Sequence, residues 1–148
     1  MRARLRWGIL GTATIAREAV IPAMHKAPYA DELELLAIAS RRKEQAEALA
    51  LVWAIPRAYG SYEDLLADRD VDAVYIPLPN HLHVPWSLRA LAAGKHILCE
   101  KPLALSAAQG QELVSAAARV PRLKVMEAFM YRLHPQWEWA RNVVVSGR

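Results

Sequence analysis

The sequence has few cysteines, no long apolar run and no secretory signal, and each of these absences excludes a class of protein. Of its 148 residues only Cys99 is a cysteine, so the chain forms no internal disulfide and suits a reducing compartment, the cytoplasm. No apolar stretch runs for about 18 residues without a charge, which excludes a membrane-spanning helix. The N-terminus leads directly into a strand-like run, so we expect no secretory signal.

Concentrated charge of either sign is also lacking. The net charge of +4 comes largely from scattered arginines, and basic clusters such as residues 41–43 are short. A protein that follows the phosphates of a nucleic acid presents a longer stripe of basic groups. The composition therefore argues against a nucleic-acid partner.

Two kinds of segment alternate along the chain. Short apolar runs have the length of strands, and the segments between them carry apolar residues at helical spacing. Strands that are apolar throughout are typical of a parallel sheet covered on both faces. We therefore predict an α/β fold, a doubly wound parallel sheet of the Rossmann-like, dinucleotide-binding type. The predicted strands are residues 5–10, 33–39, 71–77, 96–99 and 123–129, and the predicted helices are residues 14–27, 42–53, 82–93 and 106–120.

Local signals support these helices, with one exception. Ser106 followed by Gln109, and Ser61 followed by Asp64, have the spacing of a capped helix start. Pro22 lies inside the first predicted helix, where proline should kink or end it.

The first strand ends in a glycine-containing turn, residues 7–16, WGILGTATIA. Gly8, Gly11 and Ala13 approximate the dinucleotide fingerprint, although the glycine spacing differs from the usual G-x-G-x-x-G/A. Gly11 would let the backbone approach a pyrophosphate at the start of a helix. The motif alone is equally consistent with an ordinary tight turn.

The second strand ends in Ser40, Arg41 and Arg42, where a carboxylate usually holds the ribose hydroxyls. Asp31 has the usual distance along the sequence but precedes the strand. A hydroxyl and a guanidinium suit a 2′-phosphate, so we predict NADP rather than NAD, with Arg41 as the better candidate. A solvated helix start is the alternative.

A third strand ends in the proline-rich segment YIPLPNHLHVPW, residues 75–86. Pro77 and Pro79 would form a rigid shelf for a nicotinamide ring, and Asn80 would cap the next helix. The pair His81 and His83 lacks a third ligand, so we predict no metal site. A helix-capping or core-edge position is the simpler interpretation of each histidine.

The segment HILCEKPLALS, residues 96–106, adds a glutamate, a lysine and a proline after a buried strand. Together with residues 7–16, 77–106 and 125–137 it resembles the glucose–fructose oxidoreductase/inositol dehydrogenase (Gfo/Idh/MocA) family. The resemblance is strongest to the NADP-dependent D-xylose and dihydrodiol dehydrogenases and spans essentially the whole chain. E-K-P, with P-N-x-x-H upstream, is its most specific part.

The resemblance implies a role for each residue of this motif. Lys101 would hydrogen-bond the substrate hydroxyl and move its proton while C4 of the nicotinamide takes the hydride, and the Lys101–Pro102 peptide would be cis. Glu100 would orient the lysine or the cofactor amide, so Lys101 and Glu100 are the predicted catalytic residues. A salt-bridged turn is the alternative. The predicted cofactor-binding residues are Gly8, Gly11, Thr12, Ala13, Ile15, Ser40, Arg41, Arg42, Pro77, Leu78, Asn80, His83, Glu100 and Lys101.

Family members continue into a second α/β domain that covers the substrate. We therefore expect a dinucleotide-binding domain over residues 1–128 and the start of a truncated second domain over residues 129–148. The predicted function is an NADP-dependent oxidoreductase of sugar or diol alcohol groups, represented by its cofactor-binding half. The alternative is a non-catalytic nucleotide-binding or partner-binding fragment. Apolar surface near Trp137 and Trp139 favours a homo-oligomer.

Overall fold

A computed structural model describes residues 4–26 and 31–147. Its strands form one parallel sheet in the order β3-β2-β1-β4-β5-β6. The strands are β1 (Leu5–Leu10), β2 (Leu33–Ala39), β3 (Arg57–Tyr59), β4 (Ala73–Ile76), β5 (His96–Cys99) and β6 (Val125–Glu127). The helices are α1 (Ile21–Lys26), α2 (Lys43–Trp53), α3 (Tyr62–Ala67), α4 (His83–Ala92), α5 (Ala107–Ala118) and α6 (Pro135–Val145). In the described part of the chain, no helix has the length and apolar character needed to cross a bilayer.

The sheet is covered on both faces, as the apolar strands predict. Successive strand residues point to opposite faces, so Ile9 packs with α1 and α2 while Leu10 packs with α3, α4 and α5. Tyr75 of β4 packs on the same face of the sheet as Ile9, and its neighbours Val74 and Ile76 pack on the opposite face with Leu10. This two-sided packing confirms the doubly wound α/β prediction.

Most predicted elements are confirmed, and Pro22 adjoins an irregular turn of the first helix. A π-helical segment, Ala16–Val20, precedes α1, which begins at Ile21. Pro22 is thus the second residue of α1 and lies inside a helical stretch that runs without a break from residue 14 to residue 26, directly after its π-helical turn. The short edge strand β3 was not predicted.

Both predicted serine caps are present. The Ser106 hydroxyl accepts a hydrogen bond from the Gln109 amide at 3.3 Å, and the Ser61 hydroxyl accepts one from the Asp64 amide at 3.1 Å. These bonds satisfy amides that have no partner inside the helix. The starts of α5 and α3 are therefore set by their own sequences.

An ion-pair network ties the amino ends of the strands together. The Arg6 guanidinium donates to Asp72 at 3.0 Å and to Asp70 at 2.9 Å. The Arg57 guanidinium donates to Asp68 at 2.7 Å and to Asp70 at 2.8 Å. The network joins β1, β3 and the segment before β4, on the rim opposite the one that holds the predicted site.

Candidate functional site

The predicted site residues follow strands whose carboxyl ends share one rim of the sheet. Leu10 pairs with Ala39 across β1 and β2, and Ile76 pairs with Cys99 across β4 and β5. Because β4 lies between β1 and β5, the ends of β1 and β5 are two strand spacings, or about 10 Å, apart. The glycine turn and Lys101 therefore lie on the same rim.

Gly11 makes the turn that follows β1. Its φ of +111° is a conformation that L side chains rarely adopt, and a Cβ there would lie 3.1 Å from Cδ2 of Leu78. The Gly11 amide donates to the carbonyl of Ala39 at 2.8 Å, which ties the turn to the end of β2. Both the backbone angle and the crowding favour glycine at this position.

A cleft of about 480 Å³ opens beside this turn. It brings together the turn, the end of β2 and the segment after β4, as the sequence analysis predicted. Among the described residues, no carboxylate lines it. The lining residues are Gly11, Thr12, Ala13, Ser40, Arg41, Arg42, Gln45, Tyr62, Pro77, Leu78 and Pro79.

The end of β2 shapes one wall of the cleft. Ser40 is buried, and its hydroxyl accepts a hydrogen bond from the Arg42 amide at 3.3 Å and lies 3.5 Å from Oε1 of Gln45. Arg41 and Arg42 are exposed. The serine therefore orders the backbone, while the two arginine side chains are exposed beside the cleft, where an anion would meet them.

Six of the fourteen predicted cofactor residues do not line the cleft, and Gly8 and Ile15 are two of them. Gly8 is inside β1, where a Cβ would come within 2.6 Å of Cδ2 of Leu65 and 3.2 Å of Cγ1 of Val71. Its small size allows α3 to pack against the strand, and it is not part of the turn. Ile15 lies at the start of the helical segment and does not line the cleft.

The segment after β4 is the one predicted to form a rigid shelf for a nicotinamide ring. Pro77 and Leu78 are buried in the cleft wall. Asn80 is exposed in a 3₁₀ turn, Asn80–Leu82, and the residue before α4, Leu82, makes no side-chain cap. The prediction that Asn80 caps the helix is therefore wrong.

His83 connects two loops of the rim. It is fully buried, and its Nδ1 and Nε2 lie 2.7 Å from the carbonyl oxygens of Pro102 and Leu78 respectively. The ring holds the loop after β5 against the loop after β4. This is the core-edge position of the simpler interpretation, and the buried ring has no open surface towards the cleft.

The two charged residues of the E-K-P segment lie in different surroundings. Lys101 is exposed on the rim, and the Lys101–Pro102 peptide is cis, as the resemblance implies. The carboxylate of Glu100 accepts a hydrogen bond from the hydroxyl of Tyr75 at 2.7 Å and makes no hydrogen bond with Lys101. Burial raises the pKa of Tyr75, and the bond to Glu100 raises it further, so this hydroxyl keeps its proton.

A larger hollow of about 640 Å³ lies on the face of the sheet covered by α1 and α2. Leu98 and Met126 line it, together with Phe129 and Leu133 after β6, and Glu100 lies at its wall. The walls are almost wholly apolar, and the hollow does not include the glycine turn; Lys101 lines neither this hollow nor the smaller cleft. The smaller cleft, which gathers the polar groups, is therefore the candidate site.

Sequence reasoning missed Tyr62 and Gln45, which also line the cleft. Tyr62 is the first residue of α3, an amphipathic turn in which an aromatic residue is typical of the core. Its approach to Gly11 depends on how α3 packs across β1. The local sequence carries no signal for that contact.

Comparison with known proteins agrees with this geometry. The family model described as "Oxidoreductase family, NAD-binding Rossmann fold" (GFO_IDH_MocA) matches residues 5–129. The chain is 49% identical over 142 residues to D-xylose 1-dehydrogenase (NADP(+)) 2 of Haloferax volcanii and 41% identical over 143 residues to trans-1,2-dihydrobenzene-1,2-diol dehydrogenase of Mus musculus. These matches cover 96% and 97% of this chain and 42% of each relative.

A solved structure extends the similarity to three dimensions. The 3-ketoreductase KijD10 of Actinomadura kijaniata, in complex with TDP-benzene and NADP, superposes with a TM-score of 0.87 at 39% identity. The alignment covers 98% of this chain and 44% of that one. The chain thus spans less than half the length of the relatives it matches. It belongs to the Gfo/Idh/MocA oxidoreductase family and comprises that family's NAD-binding Rossmann-fold domain.

Proposed function

We propose that the chain binds NADP(H) along the carboxyl rim of its sheet and presents Lys101 for hydride transfer at an alcohol carbon of a sugar or diol. The observation that carries the proposal is the shared rim of the Gly11 turn and Lys101, two strand spacings apart. A dinucleotide that spans from one to the other would bring its reactive ring to the lysine. The names of the D-xylose and dihydrodiol dehydrogenase relatives support the substrate class.

The residues of the cleft fit this cofactor. Gly11 leaves open the space that a Cβ would fill, and the amides of Thr12 and Ala13 lead into a helical segment whose start favours phosphate. Of the described residues that form the cleft wall, none carries a carboxylate that would repel a 2′-phosphate, and Arg41 and Arg42 would attract one. The donor set therefore favours NADP over NAD.

Lys101 and its supports define the chemistry that the chain contributes. NADP(H), when bound, would give or take a hydride at C4 of its nicotinamide. The Nζ of Lys101 would hydrogen-bond the substrate oxygen, donate a proton to it on reduction and accept one on oxidation. His83, beneath Pro102, and Glu127, whose carboxylate accepts the Leu103 amide at 2.7 Å, fix the loop that carries the lysine.

A fluorescence titration with NADPH and NADH tests the cofactor assignment. We expect NADPH to bind more tightly, and Arg41→Ala to weaken NADPH binding by about tenfold or more while NADH binding changes little, because a charged hydrogen bond to the 2′-phosphate is lost. Arg119→Ala, which removes an exposed arginine just after α5, is the matched control. Equal losses for both cofactors would refute the 2′-phosphate role.

A non-catalytic nucleotide-binding module is the second candidate. It is favoured because the chain matches 42% of the length of its dehydrogenase relatives and aligns with the NAD-binding part of the family. Turnover of D-xylose or a dihydrodiol with NADP would support the enzyme. Cofactor binding without turnover would select the module.

The surface near α6 supports a proposal of self-association. Trp137 is 55% exposed and Trp139 is 68% exposed, and both lie on α6 in the segment that we assign to the entrance of a second domain, residues 129–148. Covering these side chains with a second copy would remove apolar surface from water. Sedimentation velocity over a range of concentrations would show the association, and a monomer throughout would refute it. The free, buried Cys99 is compatible with a reducing cytoplasm.

A further inference from the structure

Tyr75 carries a polar atom into the core of the sheet. The residue lies on β4 and is fully buried, and its hydroxyl donates to Oε1 of Glu100 at 2.7 Å. Glu100 follows β5, and its amide donates to the carbonyl of Ile76 at 3.1 Å, which extends the pairing of β4 and β5 by one residue. Backbone and side chain therefore both hold Glu100 against β4.

The carboxylate of Glu100 has hydrogen-bonding capacity that the fold does not use. A carboxylate has two oxygens that only accept, with about four lone-pair positions, and a neutral hydroxyl fills one of them here. Among the residues that the structure describes, no lysine or arginine forms an ion pair with it. The side chain is half-buried at the wall of the almost wholly apolar hollow. A charge in such surroundings is costly unless further donors reach it, so the second oxygen favours a ligand that donates a hydrogen bond.

Glu100 lies on the same face of the sheet as the helical segment that follows the glycine turn. Tyr75 and Ala16, which is part of that segment, belong to one apolar cluster, whereas Cys99 belongs to the cluster on the opposite face. A dinucleotide whose phosphates meet the start of that segment would run along this side of the rim. Its nicotinamide ring would then reach the ends of β4 and β5, beside Glu100 and Lys101.

The nicotinamide ring carries one group that matches the free oxygen. Its carboxamide has an NH₂ that donates, and a carboxylate can only accept. The ammonium of Lys101 is itself a donor and suits the substrate oxygen, so the two neighbouring residues would take different partners. A hydrogen bond to a carboxylate is about twice as strong as one between neutral groups. Holding the carboxamide would also fix the rotation of the ring.

We propose that Tyr75 is a positioning residue of the cofactor site. Its hydroxyl holds one oxygen of Glu100, so that the other oxygen accepts the carboxamide N–H of NADP(H). The inference rests on the proposed function, and it adds a residue from inside β4 that acts on the cofactor only through Glu100.

Calorimetric titration of the full chain with NADP⁺ and with its 3-acetylpyridine analogue tests this inference. The analogue has a methyl group in place of the carboxamide NH₂, so it cannot donate to Glu100. We expect the wild type to bind NADP⁺ at least about tenfold more tightly than the analogue, because a hydrogen bond to a charged group is lost. Tyr75→Phe should lower that preference to about threefold or less, while its affinity for the analogue stays within about twofold of the wild-type value.

The ratio of the two affinities separates positioning from a structural effect. A variant that merely loosens the fold weakens both ligands equally and leaves their ratio unchanged. Tyr59→Phe is the matched control, because the Tyr59 hydroxyl donates to Asp68 at 2.9 Å, in the ion-pair network of the amino rim, and it should keep the wild-type ratio. If Tyr75 acts through Glu100, adding Tyr75→Phe to Glu100→Gln should change the ratio no further.

Should Tyr75→Phe fold poorly, Glu100→Gln gives an independent measurement. Glutamine keeps the shape but has a single oxygen, which the Tyr75 hydroxyl occupies, and its NH₂ cannot accept. We expect the preference for NADP⁺ over the analogue to disappear. An unchanged preference in either single variant, full additivity of the two changes, or a wild type that binds both ligands equally would overturn the inference and leave the proposed function in place. A wild type that binds neither ligand would refute the proposed function as well.

Discussion

Single residues at this site take their positions from the strand ends that precede them. Gly11 follows β1 and Lys101 follows β5, and the register of the sheet brings both to one rim. Their residue types then match the place: glycine where φ is +111°, and an exposed ammonium where a substrate would arrive. His83 and Glu127 act on the lysine only through the backbone of its loop.

Lys101→Met removes the proposed proton carrier with little change in side-chain length. We expect NADPH affinity to stay within about twofold and any NADP-dependent turnover to fall by about a hundredfold or more, because the acid–base group is lost. Lys124→Met, an exposed lysine just before β6, is the control. Activity retained in Lys101→Met would exclude this residue from the mechanism.

The residues differ in how far sequence could place them. Ser40, Arg41 and Lys101 were predictable because each immediately follows a recognisable strand. Gly8 was misplaced, since a glycine within a strand and a glycine in the following turn look alike until α3 is packed on the sheet. Tyr62 was missed for the same reason.

At the scale of the element, each strand and helix depends on contacts at its ends. The caps at Ser61 and Ser106 are local and were readable from the sequence. Strand β3 was not, because its three residues are too few for a periodic pattern. Its position at the edge of the sheet is supported by Arg57, whose partners Asp68 and Asp70 lie beyond α3.

The network on the amino rim predicts acid sensitivity. Hydrogen bonds from Arg6 hold the pKa of Asp72 below its ordinary value of 3.8. A carboxylate whose pKa is lower in the folded state stabilises the fold above the unfolded pKa, and this stabilisation is lost as the pH falls through the folded value. We therefore expect the free energy of unfolding in urea to decrease as the pH falls from about 5 to about 3.

The variant Asp72→Asn tests whether the Arg6–Asp72 pair causes the loss of stability at low pH. It should lower the free energy of unfolding at pH 7 and reduce its change between about pH 5 and about pH 3. Glu112→Gln, an exposed carboxylate on α5, should follow the wild type. A pH profile of Asp72→Asn parallel to that of the wild type would contradict the role of the pair.

At the scale of the whole molecule, the two rims of the sheet carry different kinds of groups. The amino rim holds ion pairs that join distant parts of the chain, and the carboxyl rim holds the cleft and Lys101. Parallel strands bring all of their carboxyl ends together, which is why a nucleotide can meet residues from four separate segments. The apolar hollow over β4, β5 and β6 and the exposed α6 belong to neither of these two groups of residues.

The most direct test of the central claim maps NADP⁺ onto the chain by NMR. Backbone amide shifts of the ¹⁵N-labelled protein, followed during a titration, locate the ligand residue by residue. If NADP⁺ binds along the carboxyl rim, we expect the largest shifts at Gly11, Thr12, Arg41 and Lys101, and no shift at Asp72. Shifts clustered around Asp72 on the amino rim, or a titration in which Gly11 moves and Lys101 does not, would contradict it.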